Sequence, residues 1–375
     1  MTTATASPAL SPNPRIPSMM KAAVYHGVHD VRVETVPVPE IAAGEILIEV
    51  ATCGICGTDL KKIHTGSHSA PRIFGHETAG TIAAVGQGVK QFSVGDRVMV
   101  FHHIPCGHCY YCRKGTYAQC SIYKKVGVTA GFEPAGGGFA GYARVMDWIV
   151  QGGGVVRIPD GIPFEQAAFV EPVNTCLKGV KMLNLQPDET VLVIGQGPIG
   201  IILATLALKT GATVFTSDLY PERHAIAASF GLRNPLDARG DVAGQLRSAT
   251  DGRGADAVLL AVGHDALIST AMDAVRPGGK VQLFAQTQHS DTIFDPGAVC
   301  MDEKTLLGSY SASVDIQEEG SRLVFDGYQN GFDLTHLISH RFPIEQAVEA
   351  IDIASHPTAN SMKIMIEPRS SGQGE

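Results

Sequence analysis

Residues 191–200 restrict the possible folds more than any other part of the sequence. They read VLVIGQGPIG, an apolar run that leads into three glycines and then into a second apolar run. A buried strand, a tight turn and a buried helix account for this pattern. Residues 190–208 carry no charged side chain, but the glycines and Pro198 interrupt them, so we do not expect a membrane-spanning helix. The segment predicts the first strand-turn-helix unit of a parallel α/β domain.

The glycine spacing also predicts a cofactor. G-x-G-x-x-G between a strand and a helix is typical of the turn that binds the pyrophosphate of a dinucleotide, with the helix N-terminus supplying amides to the anion. The next predicted strand, residues 213–217, is followed by Asp218, where an acid can bind the ribose hydroxyls of NAD and repel the extra phosphate of NADP. In the alternative interpretation, Asp218 has no role in cofactor binding and only caps the following helix. The candidate cofactor-binding residues are Gly195, Gly197, Pro198, Ile199, Gly200, Asp218, Arg223 and Val262.

The sequence pattern changes along the chain. Residues 21–159 contain short β-rich runs separated by glycine and proline, which predicts an antiparallel, barrel-like domain. Beyond Pro163 we expect one helix over residues 164–183 and then alternating strands and helices, which indicate a parallel sheet. A helix over residues 344–353 and a last strand over residues 362–366 should pack back on the first domain.

Composition excludes some partners and indicates a compartment. The formal net charge of −8 argues against nucleic acid or an anionic membrane as the main partner. Residues 1–19, which are rich in Thr, Ala, Ser and Pro, are expected to form a disordered tail. Because no signal peptide is visible, the cysteines favour metal binding in a reducing, cytoplasmic setting over disulfides.

Four of the eight cysteines form a dense cluster. Cys106, Cys109, Cys112 and Cys120 offer four thiolates, which complete a tetrahedral zinc shell and leave no open position. The sequence therefore predicts a structural zinc site. The neighbouring His102, His103 and His108 are interpreted as surface or packing residues, since the shell is already full.

A second set of metal-binding side chains is dispersed. Cys56, His76, Glu77 and Glu171 together offer a thiolate, an imidazole and carboxylates. This composition suits a zinc site that keeps a position for water or substrate. Each residue alone has an ordinary explanation, such as a turn or the start of a helix.

These motifs together resemble a known family. The segment ICGTD at residues 55–59, the run from Gly75 to Val98, the four cysteines and the glycine turn occur in this order in the medium-chain zinc alcohol dehydrogenases. Glu171, where the classical alcohol dehydrogenases carry cysteine, is similar to the sorbitol and threonine dehydrogenase branch. The resemblance covers about residues 20–368.

The resemblance implies an architecture and a reaction. It implies a GroES-like catalytic domain at residues 20–168, to which residues 310–375 return, and a Rossmann domain with a doubly wound parallel sheet at residues 169–309. The active site would lie in the cleft between them. The expected reaction transfers hydride between NAD and an alcohol or ketone, such as a polyol, a sugar derivative or another secondary alcohol. A homodimer or homotetramer is the family expectation.

The resemblance also implies roles for single residues. Cys56 and His76 would bind the catalytic zinc, Glu77 would be a ligand or exchangeable neighbour, and Glu171 would be a ligand or hold the zinc-bound water. Thr58 would take the proton from the alcohol, and Asp59 would orient His76. Two positions depart from the family: Lys61 stands where a histidine often relays the proton, and Tyr310 where polyol enzymes often place an arginine.

Two other functions remain open at this point. A zinc-free enone or quinone reductase of the same fold would give no reason for Cys56, His76 and Glu171 to coexist, and a metal count per chain distinguishes it. A non-catalytic nucleotide-binding protein would keep the fold without activity. Production of NADH that depends on an alcohol would exclude it.

Overall fold

The fold is described from a computed structural model of the chain, which describes residues 16–123, 128–132, 136–285, 291–292 and 295–368. Strands β1–β8 belong to the N-terminal half of the chain. They are β1 (Met19–Gly27), β2 (Asp30–Pro37), β3 (Ile46–Gly54), β4 (Glu77–Val85), β5 (Arg97–Val100), β6 (Val128–Thr129), β7 (Tyr142–Val145) and β8 (Val155–Arg157). The later strands are β9 (Thr190–Ile194), β10 (Thr213–Asp218), β11 (Asn234–Asp237), β12 (Ala255–Leu260), β13 (Val275–Leu283), β14 (Thr305–Gly308), β15 (Ile338–Pro343) and β16 (Lys363–Glu367).

The α-helices lie mostly in the C-terminal part of the chain. They are α1 (Gly57–Thr65), α2 (Tyr110–Arg113), α3 (Asp147–Gln151), α4 (Phe164–Ala168), α5 (Val170–Leu183), α6 (Pro198–Leu208), α7 (Pro221–Ser229), α8 (Val242–Ala249), α9 (Ala266–Ala274), α10 (Pro296–Met301), α11 (Gln317–Tyr328) and α12 (Ala347–Ser355). Within the described ranges, no helix is long and apolar enough to cross a membrane.

The larger β-sheet is built mainly from the N-terminal half. Its order is β15-β16-β3-β4-β5-β8, with β7 pairing to β3 and β6 to β7. The pairs are antiparallel except β15 with β16, which are parallel. The last strand, β16, pairs with β3 through Met365 opposite Gly54 and Ile366 opposite Cys53. The strand β16 therefore lies beside the strand that leads into α1.

The second sheet confirms the predicted doubly wound α/β architecture. Its order is β11-β10-β9-β12-β13-β14, all parallel, and the strand order reverses direction at β9. Alternate residues of β9 serve two cores: Val191 and Val193 pack in one, Leu192 and Ile194 in the other. A strand covered on both faces is apolar throughout, which explains the uninterrupted apolar run in the sequence.

One sequence expectation was wrong in detail, and another falls mostly on residues that the structure does not describe. The single helix over residues 164–183 is two helices, because α4 ends before Phe169 and α5 starts at Val170. Pro172 has no N–H to bond the carbonyl of Ala168, and proline fits only the first turn of a helix. The expected tail lies largely outside the described residues, but Met19 already pairs with Pro37 in β1.

Candidate active site

A cleft of about 660 Å³ brings the predicted catalytic residues together. Both parts of the fold contribute to its wall, α1 and the start of β4 on one side, and α5, α6 and the ends of β12 and β13 on the other. The predicted residues that line it are Cys56, Thr58, Lys61, His76, Glu77, Glu171, Ile199 and Tyr310. In an open α/β sheet, ligands bind outside the carboxyl ends of the strands, and this cleft lies at that edge.

Three of these side chains form a compact group. Cys56 is the N-cap of α1, and His76 and Glu77 lie at the start of β4, which pairs with the end of β3. One potential ligand atom from each residue lies within 4.8 Å of the others. His76 and Glu77 are buried, and Glu77 Oε1 has no hydrogen-bond partner among the described residues. A thiolate, an imidazole and a carboxylate at this spacing fit zinc.

Asp59 orients the imidazole, as the sequence predicts. Its carboxylate is fully buried, and Oδ1 lies 3.0 Å from His76 Nδ1. The backbone N–H groups of Cys56 and Gly75 also donate to it. Burial raises the pKa of Asp59, but the charge and hydrogen bond of His76, together with Lys62, outweigh burial and lower it to about 2. An ionised Asp59 fixes Nδ1 as the protonated nitrogen, which leaves Nε2 of His76 available to a metal.

Glu171 lies beside this group and outside it. It is in the first turn of α5, and Oε1 lies 3.6 Å from His103 Nδ1 and 3.4 Å from Thr175 Oγ1. Burial is the main cause that raises its pKa, to about 7, and His76 acts in the opposite direction. Glu171 could serve as a fourth metal ligand or as a hydrogen-bond acceptor beside the metal site. Its position outside the compact group favours the second role.

The four cysteines also converge. The Sγ atoms of Cys106, Cys109, Cys112 and Cys120 lie within 4.8 Å of one another, around the short helix α2. The backbone N–H of Cys109 donates to Cys106 Sγ at 3.3 Å, and that of Cys106 to Cys120 Sγ at 3.4 Å. N–H groups directed at sulfur stabilise thiolates, so this cluster fits a closed zinc site.

His102 and His103 differ from the sequence interpretation. Both line the cleft instead of serving only as packing residues near the cysteines. The His102 ring stacks on His76 with centroids 5.5 Å apart, and His103 lies beside Glu171. The antiparallel pairing of β4 with β5 places the residues after β5 opposite the start of β4, and no local sequence pattern indicates this pairing. His108 is exposed, as expected.

Lys363 is a second residue that sequence reasoning missed. It is the first residue of β16, is buried, and forms an ion pair with Glu77. Nothing in its local sequence indicates proximity to the metal-binding group, because the pairing of β16 with β3 brings it there.

The glycine turn adopts the predicted geometry. Gly195 has φ +96°, and a Cβ on Gly200 would lie 1.7 Å from the Gly195 carbonyl oxygen, so a side chain cannot be accommodated there. Gly197 is the N-cap of α6, and Pro198 is its first residue. Val262 lies next to the turn, since a Cβ on Gly195 would meet its Cγ2 at 2.2 Å.

Asp218 is at the end of β10 and touches the same turn. Its carboxylate accepts hydrogen bonds from the backbone N–H of Gln196 at 2.6 Å and of Tyr220 at 2.9 Å. Arg223 Nη1 lies 3.5 Å from Asp218 Oδ2. Asp218 is not the N-cap of α7, which is Tyr220, and its carboxylate lies where the cofactor-binding turn begins.

Comparison with known proteins identifies the family. Residues 42–160 match the family model of the alcohol dehydrogenase GroES-like domain, and residues 198–325 match that of zinc-binding dehydrogenase. Sorbitol dehydrogenase of Bacillus subtilis is 31% identical over 360 residues, which cover 94% of this chain and 98% of the relative. The chain belongs to the zinc-binding medium-chain alcohol dehydrogenase family.

Other relatives agree with this assignment to the zinc-binding medium-chain alcohol dehydrogenases. Galactitol 1-phosphate 5-dehydrogenase of Escherichia coli is 32% identical and covers 93% of this chain and 100% of its own. A crystal structure from Sinorhizobium meliloti, described as a zinc-binding dehydrogenase bound to NADP, has a TM-score of 0.83 at 28% identity, covering 94% and 100% of the two chains. Family membership confirms the predicted GroES-like and Rossmann architecture and the alcohol oxidoreductase class, and it supports zinc and a nicotinamide cofactor.

Proposed function

We propose that the protein is a zinc-dependent dehydrogenase that transfers hydride between NAD and a secondary alcohol of a polyol or related small molecule. The observation that carries this proposal is the compact group of Cys56, His76 and Glu77, whose ligand atoms lie within 4.8 Å of one another in the cleft. Ile199 and Ala261, which flank the glycine turn and β12, line the same cleft. A metal-binding group and a dinucleotide-binding edge therefore face one space.

The residues of the two metal-binding groups indicate how zinc would be held and what it would do to the substrate. Cys56 and His76 would hold zinc, Glu77 would lie at its coordination sphere, and the four-cysteine cluster would hold a second, structural zinc. When bound, the catalytic zinc supplies a Lewis acid that lowers the pKa of a substrate hydroxyl. Asp59 keeps His76 in one orientation, and Glu171 would accept a hydrogen bond from the substrate hydroxyl or a water molecule in the cleft.

The proton leaves by way of Thr58 on α1. Thr58 is exposed to the cleft one residue into α1, and its hydroxyl can accept a proton from the substrate hydroxyl while it passes its own outward. Lys61 lines the cleft one turn further along the helix, at the position where relatives in the family often have histidine. Lys61 holds a positive charge at this point of the wall instead of relaying a proton through an imidazole.

We infer that NAD is the preferred cofactor. The carboxylate of Asp218 lies at the start of the glycine turn, where it repels the extra phosphate of NADP. Gly195, Gly197 and Gly200 let the backbone approach a pyrophosphate, with Pro198 and Ile199 opening α6. Arg223 lies beside Asp218 and Val262 beside Gly195, so both would contact the cofactor.

Substrate class follows from the relatives and from the cleft wall. Sorbitol and galactitol 1-phosphate are polyhydroxylated, and the relatives named for them match this chain over almost its whole length. The side chains of His103, Tyr123, Ser309 and Ser311 line the cleft and carry polar groups that suit further hydroxyl groups of a substrate. We propose the same class of substrate, oxidised to a ketone, and retain a cytoplasmic location and a homodimer or homotetramer as predictions.

A panel of polyols and simple secondary alcohols, each with NAD and with NADP, tests the proposal through the absorbance of the reduced cofactor. We expect NADH formation with at least one polyol and a loss on the order of 10²-fold in kcat for Glu171→Ala. That variant should keep the structural zinc and bind NADH. No alcohol-dependent NADH formation by zinc-loaded protein would contradict the proposal, and reduction of enones without zinc would favour the reductase alternative.

A further inference from the structure

Residues 309–313, the pocket segment, follow β14 and form part of the cleft wall. Ser309, Tyr310 and Ser311 line the cleft, and the side chain of Tyr310 is exposed there. Ser311 has φ +61°, which is the left-handed conformation. A residue other than glycine adopts this conformation at a cost that surrounding contacts must offset. The contacts made by Ser311 therefore determine the shape of this wall.

Lys178 of α5 provides the contacts to the backbone of the pocket segment. Its Nζ donates hydrogen bonds to the carbonyl oxygen of Tyr310 at 2.8 Å and to that of Ser311 at 3.4 Å. The lysine is half-buried, and burial lowers its pKa, while the charge of Asp315 acts in the opposite direction. A partly desolvated ammonium group that donates to two successive carbonyls stabilises the backbone conformation that directs both toward it.

Tyr123 provides a contact to the side chain of the same residue. Its Oη lies 2.5 Å from Ser311 Oγ. The Tyr123 ring is buried and packs with Cys112 and Cys120 of the four-cysteine cluster. Ser311 is thus held by its backbone from α5 and by its hydroxyl from a separate part of the chain.

Helix α5 connects the pocket segment to the metal-binding group. Glu171, Thr175 and Lys178 follow helical spacing, so they lie on one face of α5, and the first two line the cleft. The Asn174 side chain fixes the end of the segment: Nδ2 donates to the Ser313 carbonyl at 2.9 Å, and Oδ1 accepts from the Ser313 N–H at 2.8 Å. One rigid helix therefore carries Glu171 at the metal site and the groups that hold the pocket segment.

We propose that Lys178 is a positioning residue for substrate selectivity, which holds the pocket segment in the shape that binds the carbon chain of a polyol beyond its reacting hydroxyl. This inference rests on the proposed function. Without the lysine, the left-handed conformation of Ser311 loses a charged donor that offsets its cost, and the segment relaxes. Tyr310 and Ser311 then leave the positions in which they contact a long substrate, whereas a short alcohol needs only the metal site and the nicotinamide.

Steady-state kinetics of Lys178→Met test the proposal with two substrates, the most active polyol of the panel and 2-propanol. The KM for the polyol should rise by about 10-fold, the scale expected from losing a charged donor that offsets backbone strain. The kcat values, the KM for 2-propanol and the KM for NAD should stay unchanged. Lys178→Arg, which keeps a charged donor, should stay close to the parent. Lys181→Met removes a lysine of the same helix that pairs with Glu319 at 2.8 Å, and it should change none of these values.

Substitutions of Ser311 connect the effect to the backbone conformation. In the Lys178→Met background, Ser311→Gly and Ser311→Ala both remove the Oγ that contacts Tyr123, but only glycine adopts the left-handed conformation without steric cost. Ser311→Gly should therefore bring the polyol KM back toward that of the parent and raise Tm, and Ser311→Ala should do neither. A lysine that only supports the fold predicts a lower Tm with an unchanged KM.

The outcomes separate this inference from the proposed function. A rise in KM that is confined to the polyol and is relieved by glycine at residue 311 supports the role of Lys178. An unchanged polyol KM in folded Lys178→Met overturns it, and so does an equal rise in the KM for 2-propanol or for NAD, while the parent still oxidises alcohols. A parent protein that oxidises no alcohol of the panel overturns the proposed function itself.

Discussion

Replacing Glu171 with glutamine should stabilise the protein above neutral pH once the catalytic zinc is removed. Burial is the main cause that raises the pKa of Glu171 from 4.5 to about 7 in the folded protein. Between these two values the folded protein binds more protons than the unfolded chain, so the free energy of unfolding falls as pH rises. The contribution of Glu171 to the free energy of unfolding is complete below pH 4.5 and is lost as the pH rises through 7. The difference in this contribution between the low-pH and high-pH limits is about 3 kcal/mol.

Urea unfolding measures this effect. The protein is dialysed against a chelator until one zinc per chain remains, and parent and Glu171→Gln are compared at pH 5 and pH 8. Relative to the variant, the parent should lose about 2.5 kcal/mol of unfolding free energy between these pH values. Glu222→Gln, at an exposed position of α7, should follow the parent. If Glu171→Gln and the parent change in parallel, burial does not raise the pKa of Glu171 as described above.

The remaining predictions concern zinc and the cofactor. Cys109→Ser should lower the zinc content by one ion per chain and reduce Tm, because a closed thiolate site contributes folding energy; Cys300→Ser, at an exposed position, should change neither. An unchanged Tm in Cys109→Ser would show that the four-cysteine cluster is not a structural zinc site. Asp218→Ala should narrow the preference for NAD over NADP, measured as kcat/KM with each cofactor, and should cost about 1.5–3 kcal/mol of stability because two backbone N–H groups lose a charged acceptor. Asp218→Asn should keep more of that stability, and a parent that favours NADP would refute the role of Asp218.

The parts of the fold that could be predicted are those encoded by local spacing. The glycine turn of residues 195–200 needs only a strand, three glycines and a helix, all adjacent in the sequence. The four cysteines lie within one short segment, so their convergence needs no long-range contact. The break before α5 was missed because Pro172 lies within an otherwise continuous apolar helix pattern.

The parts of the site that were missed depend on contacts between distant segments. His102 and His103 follow β5 and reach the cleft because β5 pairs with β4. Lys363 reaches Glu77 because β16, near the end of the chain, pairs with β3. Strand register is determined by the whole sheet, and no short pattern around these residues encodes it.

Activity during zinc removal and return tests the central claim most directly. Dialysis against a chelator until the catalytic zinc is lost should abolish alcohol-dependent NADH formation, while the four-cysteine zinc keeps the protein folded. Titration with Zn²⁺ should then restore activity in proportion to metal bound, with an end point at one added zinc ion per chain. Full activity in protein that lacks zinc at Cys56 and His76 would contradict the assignment of this cleft as a zinc-dependent alcohol dehydrogenase site.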